Sequence, residues 1–176
     1  MILNIAKENH YKAHELRTLF EKQLKELYWA ENEMAAHMPD IIACITSKDL
    51  EAILKKLFAE TSQHMVRLEK IFGKIGIAAE AQPYEALKCL MGETKRTIAQ
   101  TKGGVVRDAA LIAVLQKIKH YEIACYGTMR AYALALREED VVTLLEATLD
   151  EEKRADTLLS AIAEAHINIE AADKEI

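Results

Sequence analysis

The sequence has 176 residues, of which 51% are hydrophobic and 29% charged, and its formal net charge is −5 at pH 7. This negative charge and the lack of basic runs argue against binding to nucleic acids, and no uncharged apolar segment approaches the ~20 residues that a membrane-spanning helix needs. Because there are only two prolines and six glycines, the composition predicts an all-α protein, folded as a single domain over residues 1–176 around one core.

The N-terminal sequence and the cysteines indicate the compartment in which the protein works. The stretch MILNIAKENHYKAHEL has an apolar segment too short for a signal peptide, and charges follow it at once. Cys44, Cys89 and Cys125 are odd in number and widely spaced. They are expected to be reduced thiols, packed as small hydrophobic side chains. Both features predict a cytoplasmic protein.

The first half of the chain contains two predicted long helices. The first spans about residues 11–44, and the segment ITSKDL forms the turn after it. The second helix runs to about residue 75, with Thr46 or Ser47 as its N-cap. Gly73 and Gly76 mark its end, because glycine accepts the left-handed conformation that closes many helices.

The second half contains one short and two long predicted helices. The short helix covers about residues 84–100 and ends before a pair of glycines. The third long helix covers about residues 105–136, and the fourth about residues 140–166. The tail NIEAADKEI is expected to be frayed, which limits the folded core to roughly residues 11–166.

The connections predict how the helices are arranged. Short turns join the first two long helices and the last two, so each pair should form an antiparallel hairpin. The connection between the hairpins is long enough to cross the length of a bundle. We therefore predict a ferritin-like four-helix bundle of two antiparallel hairpins, with a long crossover that carries a short extra helix.

Each long helix has polar residues where its apolar stripe predicts a core side chain. On the second helix, Glu60 and His64 are one turn apart on the stripe that includes Leu57 and Leu68. The polar positions lie about 14 to 19 residues from their hairpin turns, roughly 20–28 Å along each helix, so they should meet at one level to within about one helical turn. The complete set is Glu31, Glu60, His64, Glu122, Glu152 and Asp156.

Five carboxylates and one imidazole in a dry layer require positive charge beside them. Two divalent cations would come close to balancing them, and oxygen and imidazole ligands suit iron or manganese. The alternative is that the acids pair with cationic side chains at the same level, for which the candidates are Lys119, Arg67 and Arg154. Glu151 is the alternative to Glu152, because helix boundaries are uncertain by a residue or more.

Four segments carry a resemblance to a known family: LYWAENEM, ETSQHMVRLEKIF, VRDAALIAVLQKIKHYEIACYGT and LEATLDEEKRAD, one on each long helix. Over about residues 16–163 the chain resembles the ferritin-like bacterial stress proteins typified by YciF and YciE, a family of unknown biochemical function. The resemblance implies a rubrerythrin-like or ferritin-like bundle, often dimeric and associated with osmotic and general stress. The metal ligands that it implies are Glu31, Glu60, Glu122 and Glu152, with His64 at a position where relatives carry Gln or His.

The chain also departs from a full di-iron pattern. Lys119 stands where the family resemblance implies a second acid on the third long helix. The Glu-x-x-His motif of di-iron bundles is absent, because Gln63 and Ala155 stand three residues after Glu60 and Glu152. A lysine at that level could neutralise carboxylates in place of one cation.

Three functions therefore stay open at the level of sequence. The first is a carboxylate-rich protein with two iron or manganese ions, used in redox chemistry on a small oxidant such as peroxide or oxygen. The second is a stress-induced helical scaffold or interaction protein, not an enzyme, in which a metal-free polar layer serves fold specificity. The third is an iron-storage cage, but the sequence has no obvious long fifth helix to cap a shell, and a homodimer is the simpler expectation.

Overall fold

The structure is a computed structural model that describes the backbone of residues 10–173 and the side chains of residues 16–173. This part of the chain is helical, with no strand in it. The helices are α1 (His10–Ala43), α2 (Lys48–Ile75), α3 (Glu85–Gln100), α4 (Val105–Ala135), α5 (Glu139–Ile162) and α6 (Asn168–Asp173), and a π-helical segment, Ala163–Ile167, joins the last two.

The four long helices form the predicted bundle. α1 packs against α2 and α4 against α5, and the two hairpins meet where α1 contacts α4 and α2 contacts α5. The crossover between the hairpins carries α3, which packs on the outside of α4. The predicted all-α architecture of two antiparallel hairpins with a helix-bearing crossover is therefore confirmed.

The bundle core consists of two apolar clusters, one toward each end. One cluster includes Met34, Leu54 and Leu159. The other cluster includes Leu24, Leu68 and Leu145. Burying a leucine side chain contributes about 1.5–3 kcal/mol, so these clusters supply much of the driving force for folding. Between them lies a layer of buried polar side chains at mid-height.

Local sequence signals fix the ends of α2. Ser47 is the N-cap, as predicted, and its side chain accepts a hydrogen bond from the Leu50 N–H. Gly76 closes the helix with φ of 76°, a left-handed conformation that glycine adopts without strain. The turn before α2 is also held by the buried Asp108 of α4. Its carboxylate accepts hydrogen bonds from the backbone N–H groups of Thr46 at 3.0 Å and of Ser47 at 2.8 Å.

The C-terminal end differs from its prediction. Residues 168–173, which were expected to be frayed, form α6, and this helix contacts α4. A π-helical segment precedes it, in which Ala163 and Ile167 are both buried. This segment changes the helical register while apolar side chains stay on the core side. The last three positions of the predicted tail lie outside the described residues.

All three cysteines are free thiols, but they are not all packed in the core. Cys44 and Cys125 are half-buried, whereas Cys89 is exposed. Cys89 lies on α3, whose main partner is α4, so that the opposite face of α3 stays open to solvent. Among the described residues, no helix is long and apolar enough to span a membrane.

Candidate metal centre in the buried polar layer

The polar layer contains one or more charged side chains from each long helix. Glu31 comes from α1, His64 from α2, Lys119 and Glu122 from α4, and Glu152 from α5. Each is at most 4% exposed. Apolar neighbours hold each of them at this depth: on α1, for example, Leu27 and Met34 are buried about one turn on either side of Glu31.

His64 is at the centre of an acidic triad. Its Nδ1 atom lies 3.2 Å from Glu31 Oε1 and 3.2 Å from Glu152 Oε1. Neither contact has the geometry of a good hydrogen bond. One ligand atom from each of the three residues lies within 4.8 Å of the other two. Three helices therefore direct an imidazole nitrogen and two carboxylate oxygens toward one point.

Lys119 supplies a fixed positive charge beside this triad. Its Nζ atom lies 2.7 Å from Glu122 Oε2, one turn away on α4, and 2.7 Å from Glu152 Oε2 across the bundle. Glu152 thus bridges the ammonium group and the imidazole. Lys119 and the triad together form one continuous network of charges across the core.

A second set of contacts links the layer to its surroundings. The Tyr126 hydroxyl donates a 2.5 Å hydrogen bond to Glu31 Oε1. On the opposite side of the imidazole, His64 Nε2 lies 3.0 Å from Glu151 Oε2. Arg67 donates to both oxygens of Glu151, and this pair is about one-fifth exposed. Solvent therefore reaches the outer side of His64 only as far as the Arg67–Glu151 pair.

The charges of the layer change the pKa values of its members. Burial by itself would lower the pKa of His64, but the negative charges of Glu31 and Glu152 raise it to about 10. Burial opposes ionisation of Glu152, yet Lys119 and His64 lower its pKa to about 2. Burial and the charge of Glu152 raise the pKa of Glu122 well above its usual value, although Lys119 acts in the opposite direction.

These directions define a self-balanced layer at neutral pH. The shifts keep His64 and Lys119 positively charged and Glu152 ionised, and they favour the neutral form of Glu122. Several buried atoms nevertheless lack a hydrogen-bond partner. They include Glu31 Oε2 and Glu122 Oε1. Such oxygens are costly to bury alone and are ligand atoms for a cation, so the donor set fits a divalent ion.

The structure brings together four of the six predicted ligands and leaves two outside. Glu60 is part-exposed and lies 3.9 Å from Lys56 on the same helix. Asp156 lies 3.5 Å from the exposed His120. Both are one turn from a member of the layer, but at the edge of the buried face. Glu60 lies beside a groove between α2 and α5, whereas Asp156 faces α4. This groove is lined in part by Glu60 and Ala155.

Two contributors were not among the predicted ligands. Glu151 was considered as the alternative to Glu152, and the structure uses both: one on the inner side of His64 and one on the outer side. Lys119 was a candidate counter-ion and occupies that role at the centre of the layer. Of the other candidate cations, Arg67 is bound to Glu151, while Arg154 is 67% exposed.

The fold and this layer define a class of protein: a helical bundle whose core holds a layer of acids, a histidine and a lysine between two apolar clusters. The chain belongs to the family described as "Domain of unknown function (DUF892)", which matches residues 15–172. The resemblance predicted from the sequence is therefore confirmed.

Similarity to characterised sequences and structures agrees with this assignment. The chain is 29% identical to Protein YciF of Escherichia coli (strain K12) over 160 residues, covering 90% of this chain and 96% of YciF. The crystal structure of the E. coli stress protein YciF superimposes with a TM-score of 0.83, covering 87% of this chain and 97% of that one. YcfI from Rhodopseudomonas palustris is 34% identical with a TM-score of 0.81, covering 82% of this chain and 92% of that one.

Proposed function

We propose that the protein is a ferritin-like stress-response protein whose buried layer binds a single iron or manganese ion between Glu31, His64 and Glu152. The association with stress comes from the E. coli relative, which is named as a stress protein. The observation that carries the proposal is the convergence of three buried ligand atoms, from three helices, within 4.8 Å of one another. The partnerless Oε2 atom of Glu31 supports it further.

The charge of Lys119 favours one ion over the two expected from the sequence. Its ammonium group contacts both Glu122 and Glu152 at 2.7 Å. A second divalent ion bound by those carboxylates would have to displace it or lie against a like charge. In this proposal Lys119 is the second cation of the layer, and Glu122 serves as its partner.

Binding of the ion requires that His64 lose its proton. The negative charges around the imidazole raise the pKa of His64 to about 10, so a metal ion replaces a proton rather than filling a vacant position. Glu151 on the outer side of the ring accepts from Nε2 and can hold the neutral imidazole in the tautomer that leaves Nδ1 free. Iron or manganese, when bound, would supply one-electron chemistry toward a small oxidant such as peroxide.

The test is elemental analysis of protein produced with iron and manganese in the medium and purified without chelators. We expect about one equivalent of metal in the wild type and less than about a tenth in His64→Gln. His37→Gln is the matched control, because His37 lies on α1 outside the layer and contacts Glu33. A wild-type content below about a tenth of an equivalent contradicts the proposal.

The internal ion pairs favour a second candidate function, a metal-free scaffold or interaction protein that is not an enzyme. His64 and Lys119 already lie within 3.2 Å of carboxylates, and such a layer can serve to specify one packing arrangement. The two candidates differ in a stress-survival assay. Glu31→Gln together with Glu122→Gln should abolish protection if metal is required, and should leave it intact if the bundle acts as a scaffold.

Assembly and location are further parts of the proposal. We expect a homodimer, as the family resemblance implies, with a native mass of twice 19.8 kDa, and we expect it in the cytoplasm. Native mass spectrometry separates this dimer from a storage cage, which would be many times heavier.

A further inference from the structure

A pocket separate from the polar layer lies between α1, α4 and the segment that leads into α3. Its volume is about 240 Å³. Leu27 and Met129 form an apolar floor and are 2% and 1% exposed. None of its lining residues belongs to the polar layer. The polar and aromatic groups around this floor are Gln23, Glu26, Tyr84, Tyr121, Cys125 and Thr128.

One wall of the pocket is aromatic and held in place. The rings of Tyr84 and Tyr121 stack with centroids 5.7 Å apart and an interplanar angle of 25°. Tyr84 belongs to the segment before α3, which is tied to α1 by two bonds to Lys25. The Gln82 N–H donates to the Lys25 carbonyl at 3.1 Å, and the Lys25 ammonium donates to Glu80 at 2.6 Å. The wall is therefore preformed.

The pocket has a single acidic lining residue, Glu26, and no basic one. The Glu26 side chain is 13% exposed, and its partner is the Lys22 ammonium at 3.6 Å. That distance is too long for a hydrogen bond, and Lys22 is 57% exposed, so water weakens the pair. Burial raises the pKa values of Tyr121 and Cys125, with a smaller contribution from the charge of Glu26. Tyr121 and Cys125 therefore stay neutral, and the carboxylate of Glu26 gives the pocket a net negative charge.

We propose that this pocket, which we call the tyrosine pocket, binds a compact organic cation about the size of one aromatic ring. Its 240 Å³ holds the equivalent of about eight water molecules, somewhat less than the ~300 Å³ at which sites for larger ligands begin. An aromatic wall attracts cations through the ring quadrupole. The carboxylate of Glu26 supplies the counter-charge, and Leu27 and Met129 favour an apolar body on the ligand.

The test uses benzamidinium as the probe and benzamide as its uncharged counterpart, each titrated against the full-length protein and followed by amide NMR shifts. We expect benzamidinium to bind at least about tenfold more tightly than benzamide. Glu26→Gln should remove this preference, while leaving benzamide binding within about twofold. Glu21→Gln, which makes the same charge change on α1 outside the pocket lining, is the matched control and should keep the preference.

A variant that should change benzamidinium affinity in the direction opposite to Glu26→Gln adds a second check. Lys22→Gln removes the competing partner of Glu26, so it should tighten benzamidinium binding. The proposal is overturned if benzamidinium and benzamide bind equally or if Glu21→Gln acts like Glu26→Gln. It is also overturned if a second copy of the chain covers the pocket. Two observations together would show this: benzamidinium does not bind, and Tyr84→Ala lowers the native mass by weakening the contact between the copies. None of these results depends on metal in the polar layer.

Discussion

Replacing Lys119 by methionine is the sharpest test of the charge network. Methionine keeps much of the length and the apolar stem of lysine but removes the ammonium group. That group lies 2.7 Å from carboxylate oxygens of both Glu122 and Glu152 and is almost fully buried. We expect metal-free Lys119→Met to fold into the same bundle, with a substantially smaller free energy of unfolding.

The size of the loss follows from the two contacts and the cost of burial. At 2.7 Å, the contact with the ionised Glu152 is a gross attraction of roughly 6 kcal/mol at an effective dielectric constant of about 20. Desolvation of the ammonium group offsets most of this. Removing one partner of a buried pair typically costs ~3–5 kcal/mol, because the other charge is left uncompensated. Glu122 already favours its neutral form, so the penalty falls mainly on Glu152.

The assay is urea denaturation followed by circular dichroism at about pH 7, with Lys117→Met as the control. Lys117 lies on the same helix and pairs with Glu93 at the surface. Its replacement should therefore cost less than about 1 kcal/mol. The loss in Lys119→Met should shrink toward pH 4, because Glu152, without its ammonium partner, will bind a proton more readily. A loss no greater than that of Lys117→Met at neutral pH would refute the proposed role of the ammonium group.

Three further predictions concern pH, a turn and a helix end. Because the pKa of His64 is raised from 6.5 to about 10, its stabilising charge is complete below pH 6.5 and is lost as pH rises through 10. The metal-free wild type should therefore lose up to about 1.4 kcal/mol per pH unit in that window; an equal slope in His64→Gln would exclude this cause. Asp108→Ala should cost about 2 kcal/mol in urea denaturation, because two N–H groups lose a charged acceptor; no change would mean that water replaces it fully. Gly76→Ala should destabilise by about 1–2 kcal/mol, because its φ of 76° is left-handed. Gly73→Ala should be neutral or stabilising, because Gly73 lies inside α2 with open space where a Cβ would be added. Calorimetric melting that ranks the two variants in the opposite order would contradict the conformational argument.

The helices could be predicted because their signals are local. The serine at the start of α2 and the left-handed glycine at its end act through their own backbone neighbours, and both were identified in the sequence. The C-terminal segment was harder, because its order depends on contacts with α4. A run such as NIEAADKEI has weak helix signals by itself, so only the packed partner determines whether it stays helical.

The candidate site was predictable to the level of a helical turn. The 3.6-residue period placed acids and a histidine at one depth, and Glu31, His64, Glu122 and Glu152 do meet there. The same period cannot tell the centre of a buried face from its edge. Glu60 and His64 are one turn apart, yet only His64 is enclosed, because the groove between α2 and α5 opens beside Glu60. The proposed metal itself stays a prediction.

The sequence by itself determined an all-helical bundle of two hairpins with charged residues in its interior, because helix caps, glycines and apolar spacing act within one segment of chain. Only the tertiary structure decided which charges meet. Lys119 is buried because carboxylates from two helices surround its ammonium group, and no hydropathy pattern encodes that compensation. Electrostatic balance in a core depends on distances between helices, and those exist only once the bundle has formed.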